Sequence, residues 1–444
     1  MPRCLPIIRC FWPFLGLGIV LGTAAVGWSQ GQLGGTKDSL QKAFKENAGR
    51  RDKLFSGEEP AAADDTSAKK IAEAAANWYI YRLTHVTEDK LVVQKDFSAE
   101  IVKIMEKTFD KKDRNNRVFI NMFGPALVSS MKEVLARDIK TDQATVINGA
   151  MMLPTMAKLK QDQVSDYLIE LVKVSNTHDA VRLYALKGLK EAMPIIIQPG
   201  DDLDLKDTAQ NDKRKRDTEV VEALTNYIER PVTVAGMSAE EVDAVRYIRR
   251  EAIISLAQAG APAVLAVNKK QAKKDILQGA VAPTLLKVLA GRDIKPPPSL
   301  QEKIEAALGL CALKHPNMPE YNPSLATYLI GRTIVDLVDD YNRDLANIGV
   351  LGKNRRLPYI AYRTDARRLG DALTEFAKHA NTPQTKILKD LAQPVLASMT
   401  KFTQTDPYLP PANSVDLRKH VSTTRPKTGD VFKTLSKPIN LPDP

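Results

Sequence analysis

Three cysteines in 444 residues leave little room for disulfide or metal chemistry. Cys4 and Cys10 sit at the extreme N-terminus, so only Cys311 belongs to the body of the chain. One thiol cannot close an internal disulfide, and the fold must rest on packing alone. The five histidines, His85, His178, His315, His379 and His420, share no ligand spacing. No CxxC, CxxCH or HExxH occurs, which excludes the usual zinc and c-type haem signatures. A Walker loop is equally absent. Strand-like alternation is scarce. Beyond Phe11–Trp28 no apolar run approaches the roughly 18 residues that span a bilayer, so no transmembrane segment is expected after that point.

What is present begins with an address. Arg3 and Arg9 precede the uncharged stretch Phe11–Trp28, and small residues follow at Ala25-Val26-Gly27 and Gly27-Trp28-Ser29. This is the layout of a secretory signal peptide, assigned to residues 1–29, with an uncleaved N-terminal anchor as the alternative. No cysteine stands at a lipobox position. The chain is expected to be exported to the periplasm, cell envelope or exterior. Its formal charge of +11 falls to +9 without the two leader arginines. Such an excess favours acidic partners: anionic wall polymers, lipid headgroups or nucleic acid. Export makes nucleic acid the least accessible of the three, and none is expected.

About 415 residues then remain, more than one compact core usually serves, so several domains or an elongated array are the choices. Nearly every ordered-looking segment carries apolar residues at i, i+3, i+4 and i+7, the helical period. Residues 30–66 are polar and rich in Gly, Ala and Asp, and read as a linker with one helix near Ser39–Ala48. Helices are expected at about 67–84, 98–110, 115–138, 143–159, 162–175 and 178–193. They resume at 216–229, 238–259, 276–290, 299–314, 323–345, 363–380 and 383–404. Ser238 and Ser299 stand at N-cap positions, Ser299 with Glu302 at capping-box spacing, while Gly260 and Gly291 mark stops. Residues 194–216 read as a loop insertion, acidic then basic. From 405 to 444 seven prolines and few aliphatics predict an extended or disordered tail.

Within the helical region, 67–404, a pattern recurs. Val181–Leu189 (VRLYALKGL) and Ile248–Leu256 (IRREAIISL) share a β-branched residue, Arg, Ala, a small residue and Leu at the same offsets. They lie 67 residues apart. Removing the insertion of about 20 to 25 residues leaves about 42 to 47, the period of a two-helix HEAT or armadillo unit. Leu300–Leu308 is a degraded copy with Gln301 for Arg and Ile304 for Ala, and Val146–Leu153 is weaker still. Both complete stretches resemble the second helix of a HEAT repeat, a likeness confined to about 143–314. The resemblance implies an all-α, HEAT-like α-solenoid of superhelically stacked helix pairs. It implies that Ala185 and Ala252 face neighbouring helices and that Gly188 and Ser255 permit close approach. It gives Arg182 and Arg249 a structural role, paired with an Asp near the turn; Asp179 and Asp243 are the candidates.

Three constellations invite a chemical reading. Asp336, Asp339, Asp340 and Asp344 on one helix are similar to the diphosphate-binding helix of prenyl-diphosphate synthases, which hold Mg²⁺ on carboxylates one turn apart. The second acidic helix those enzymes require is missing. Arg332 and Arg343 stand at helix ion-pair spacing instead. Cys311 and His315 are a turn apart, but Leu308, Leu310 and Leu313 around the thiol predict a packed core residue. The strongest surface candidate is KNRRLPYIAYRTDARR, which concentrates Lys353, Arg355, Arg356, Arg363, Arg367 and Arg368 around Tyr359 and Tyr362. Guanidinium forks bind phosphate or carboxylate bidentately and tyrosines add stacking. A solvated helix end is the plain alternative. No catalytic residue, cofactor or metal is assigned. The chain is read as a non-enzymatic scaffold for a protein partner; the second reading is a binder of an anionic envelope polymer or membrane surface.

Overall fold

The computed structural model describes residues 35–84, 116–196, 208–260, 281–313, 321–351, 357–380, 382–400, 412–432 and 437–443. Side chains at 83, 194–196, 208–217, 347–351 and 357–359 are not described. The expected leader at 1–29 and the expected helix at 98–110 lie outside these residues. Among the described residues the chain is all-α, with fifteen helices and a single isolated β-bridge.

Three helices open the chain: α1 (Lys37–Glu46), α2 (Ala48–Ser56) and α3 (Thr66–Thr84). The series continues with α4 (Arg117–Leu135), α5 (Gln143–Ala157), α6 (Asp162–Lys173), α7 (Asp179–Ile196), α8 (Thr208–Glu229) and α9 (Ala239–Ala257). It ends with α10 (Val281–Ala290), α11 (Leu300–Ala312), α12 (Pro323–Leu351), α13 (Leu357–Ala380), α14 (Pro383–Thr400) and α15 (Val415–Thr423). From α3 to α14 every helix packs on the next one and on the next but one. Odd-numbered helices α3 to α13 therefore form one row and even-numbered α4 to α14 a second. A continuous apolar cluster lies along them.

Local chemistry sets several boundaries. Ser238 and Ser299 each accept a hydrogen bond from the backbone N–H three residues on, and Glu241 and Glu302 accept in return from the cap N–H, giving two complete capping boxes. Gly291 follows α10 at φ +74°, a left-handed conformation that a side chain would disfavour. Ala185 and Ala252 are fully buried. At Gly188 a Cβ would stand 3.0 Å from the Leu168 side chain and 3.3 Å from the Leu153 carbonyl oxygen, so α7 lies close on α5 and α6. Ser255 serves the next step: its hydroxyl lies 2.7 Å from the carbonyl of Leu186 on α7 and is completely buried. In α11 the closest approach falls at Gly309, against Ala257.

Four expectations are corrected. Residues 37–56, read as part of a linker, hold two helices, because Leu40, Leu54 and Phe55 find apolar partners. Phe55 packs edge-on against Phe119 and Phe123 of α4. Helix α8 begins at Thr208, so the insertion between α7 and α8 is shorter than 194–216. Helix α13 begins at Leu357 rather than near 363. The tail is not structureless either: α15 lies on α12 and α14, and Ala412, Leu417, Val421, Val431, Phe432 and Ile439 are buried. Its apolar residues are too sparse for a core of their own, but adequate when α12 supplies the other half.

Ala185→Arg and Ala252→Arg should each destabilise the chain by several kcal/mol, since a long cation enters a filled, uncharged interface. Urea melts followed by circular dichroism check this; parent-like midpoints in both variants would mean that these faces are not packed.

Candidate functional site

The basic stretch at the start of α13 divides into three fates. Lys353, Arg355 and Arg356 lie outside the described residues, and the Tyr359 side chain is not described. Arg363 and Arg367 are exposed, one turn apart on the same face, and Arg367 has only a distant carboxylate, Asp371 at 4.0 Å. Tyr362 is drawn inward, while Arg368 stays 41% exposed but is held by a carboxylate of α11. Tyr362 is 8% exposed, and its hydroxyl stands 2.9 Å from Asp340 Oδ2 and 2.7 Å from Asp344 Oδ2. Its ring meets Tyr341 edge-on. It therefore does not flank a surface patch, because a tyrosine at this position of α13 faces α12, where carboxylates await its O–H.

The acidic residues of α12 are used in the same way. Asp336 pairs with Lys303 at 3.2 Å and with Arg332 one turn back at 3.7 Å. Asp339 pairs with Arg418 of α15, and Asp340 with Arg343. The helix-surface pairs foreseen for Arg332 and Arg343 are both present. The row of carboxylates is consumed by neighbours on α11, α13 and α15. Among the described residues no group of three His, Cys, Asp or Glu side chains could hold a metal ion. Cys311 is buried, and desolvation pushes its thiol well above the usual range.

Arg368 leads to a charge network that sequence reasoning missed. Its guanidinium grips Glu305 of α11 bidentately, at 3.0 and 2.7 Å. Arg250 of α9 reaches the same carboxylate at 2.7 Å. Burial works to raise the pKa of Glu305, but hydrogen bonds from Arg368 and Arg250 outweigh it and hold the carboxyl below its usual range. Asp365 sits beside it with the opposite balance. Burial dominates there and pushes its pKa up, despite a hydrogen bond from Gln301 (2.9 Å) and the nearby Arg368. Three helices of the odd row, α9, α11 and α13, are thus tied through one glutamate.

One turn earlier, Arg249 and Glu302 form the most deeply buried pair. The Nε–Oε1 distance is 2.6 Å and the two side chains are 3% and 0% exposed. Arg249 also donates to the carbonyl of Pro296 at 2.9 Å. Asp243, the partner expected for Arg249, pairs instead with Arg246 at 3.3 Å. The expectation for Arg182 holds: it contacts Asp179 at 2.7 Å and donates to the carbonyls of Val174 and Ser175. Glu302 and Glu305 carried one legible signal, a carboxylate on each of the first two turns of a helix that is apolar from Ala306 onward. Chemically the network is a lock between helices, with no nucleophile or open acid–base pair in it.

No family model, curated protein or solved structure matches this chain.

The two carboxyls should respond oppositely to neutralisation. Glu305→Gln removes the shared anion from Arg250 and Arg368 and should cost about 2 kcal/mol at pH 7, less than a fully buried pair because both guanidiniums are partly exposed. Asp365→Asn should be neutral or slightly stabilising, since its charged form is the disfavoured one. The pH dependence follows. The contribution of Glu305 is present above its usual value of 4.5 and is lost as pH falls through its lower folded value. The cost of ionised Asp365 disappears as pH falls through its raised folded value. Urea titrations from pH 7 to pH 3 on both variants measure each slope against the parent.

Proposed function

We propose that the chain is an exported, non-enzymatic helical-repeat scaffold of the HEAT or armadillo kind, which docks a protein partner on the exposed side of its helical rows. The observation that carries this reading is the packing order of α3 to α14, each helix on its two successors in two alternating rows. That is the connectivity of an α-solenoid, whose repeats contact only their neighbours and leave an extended lateral surface. Arg182, paired with Asp179 beside the turn before α7, supports the HEAT assignment. Export rests on the leader at residues 1–29.

The odd row supplies the surface chemistry. Tyr247 of α9 is 48% exposed. Lys187 of α7 lies between it and Tyr184, 5.8 and 5.3 Å from the two ring centroids. Met151 of α5 is also exposed. Tyrosine and methionine are enriched in protein interfaces, and a large aromatic without full cover is a natural anchor. The second reading, an anionic polymer or membrane surface, is favoured by one observation: Arg363 and Arg367 are exposed on one face of α13, Arg367 with only a distant carboxylate at 4.0 Å.

Salt separates the two. In envelope extract, a protein partner held by the Tyr184–Lys187–Tyr247 surface should stay bound near 1 M salt, where the screening length is only about 3 Å. Tyr247→Ala should then weaken it about tenfold, the equivalent of about 1.4 kcal/mol. Retention on anionic polymer that vanishes with salt and with Arg363→Ser/Arg367→Ser, while Tyr247→Ala has no effect, would replace the scaffold reading by the second.

A further inference from the structure

Residues 429–432 and 437–443 pack on one another beside the start of α12. Asp430–Phe432 runs beside the start of α12: Tyr321 and Phe432 form an antiparallel bridge, the N–H of Asn322 donates to the Val431 carbonyl at 2.8 Å, and its side-chain amide donates to Asp430. The last residues then fold back over this limb. The N–H of Ile439 donates to the carbonyl of Gly429 at 3.0 Å. A Cβ at Gly429 would overlap the Ile439 carbonyl oxygen, so only glycine lets the two backbones meet.

The second limb is held by few contacts, and most of them face solvent. Ile439 is its one fully buried side chain, with Leu441 partly covered. The Asn440 amide donates to Asp293 at 2.6 Å, an exposed contact. Three arginines gather at the end: Arg292 pairs with the Asp443 carboxylate, Arg332 donates to the Asp443 carbonyl, and Arg425 donates to the Pro442 carbonyl. The Asp443 side chain is 87% exposed, so this clamp selects charge and direction but adds little holding energy. One buried aliphatic with exposed polar contacts is the anatomy of a peptide ligand rather than of a core strand.

We propose that Lys437–Asp443 is an exchangeable ligand of a docking groove formed by Arg292, Asp293, Arg332, Arg425 and Gly429, and that the groove accepts the same segment from a second copy of the chain. Charge complementarity and the apolar anchor name the occupant: an extended peptide with an aliphatic residue four positions before an aspartate. In the free chain the tethered tail wins, because its effective concentration is of millimolar order.

The test uses the full chain and a fluorescent peptide of sequence KPINLPDP. Ile439→Asp should eject the tethered tail without touching the groove and raise capture of the peptide at least tenfold over the parent. Adding Arg292→Gln/Arg332→Gln, or Gly429→Ala, should remove that gain. Amide hydrogen exchange on the parent provides a readout free of any folding defect: Ile439 N–H should exchange at least tenfold faster than the interior amides of α12. Equal exchange rates, or an Ile439→Asp chain that captures no more peptide than the parent, would make the segment a fixed part of the core and overturn the proposal.

Discussion

A guanidinium taken almost wholly out of water must be met by an anion or by carbonyl oxygens, because an unpaired buried charge costs several kcal/mol. That requirement shapes the middle of this protein. Arg182 is met within its own connection, by Asp179 and two carbonyls of the turn before α7, although its Nε has no hydrogen-bond partner. Arg249 finds no such local partner and reaches forward to Glu302 and the Pro296 carbonyl, which join α9 to α11 and to the chain entering it. The two arginines therefore do different work: Arg182 ties α7 to the turn before it, and Arg249 couples α9 to α11.

The coupling continues along the odd row. Glu305, one turn after Glu302, gathers Arg250 from α9 and Arg368 from α13. Gln301 on the same helix reaches Asp365 of α13. Helix α11 thus carries the polar contacts that fix α9 and α13 on either side of it, while apolar burial supplies most of the cohesion. The same demand explains why, among the described side chains of the basic stretch, only the cations Arg363 and Arg367 lie outside this network. Arg368 is held by Glu305, and Tyr362 turns its ring inward because Asp340 and Asp344 can accept from its hydroxyl.

What the sequence made legible was local. Ser238 and Ser299 announce their helices through residues three positions away, and Asp179 lies three before Arg182. The glycines at 260 and 291 end helices by their own backbone freedom. Partners at long separation were not legible. Glu302 stands 53 residues from Arg249 and looked only like a capping residue, which it also is. Asp243 was nearer in sequence and was taken by Arg246. The tail was misread because Val431, Phe432 and Ile439 have no periodicity of their own; the complementary apolar surface belongs to α12 and its neighbours.

Whether the buried Arg249–Glu302 pair couples α9 to α11 is measured most directly by a double-mutant cycle. Arg249→Met leaves a carboxylate buried without its partner; Glu302→Gln leaves the guanidinium in that state while keeping an acceptor for the Ser299 cap. Each single variant should lose about 3 to 5 kcal/mol in urea unfolding, and the double variant should lose far less than their sum. Two small and additive losses would show that the pair is incidental and that packing alone sets the order of the helices.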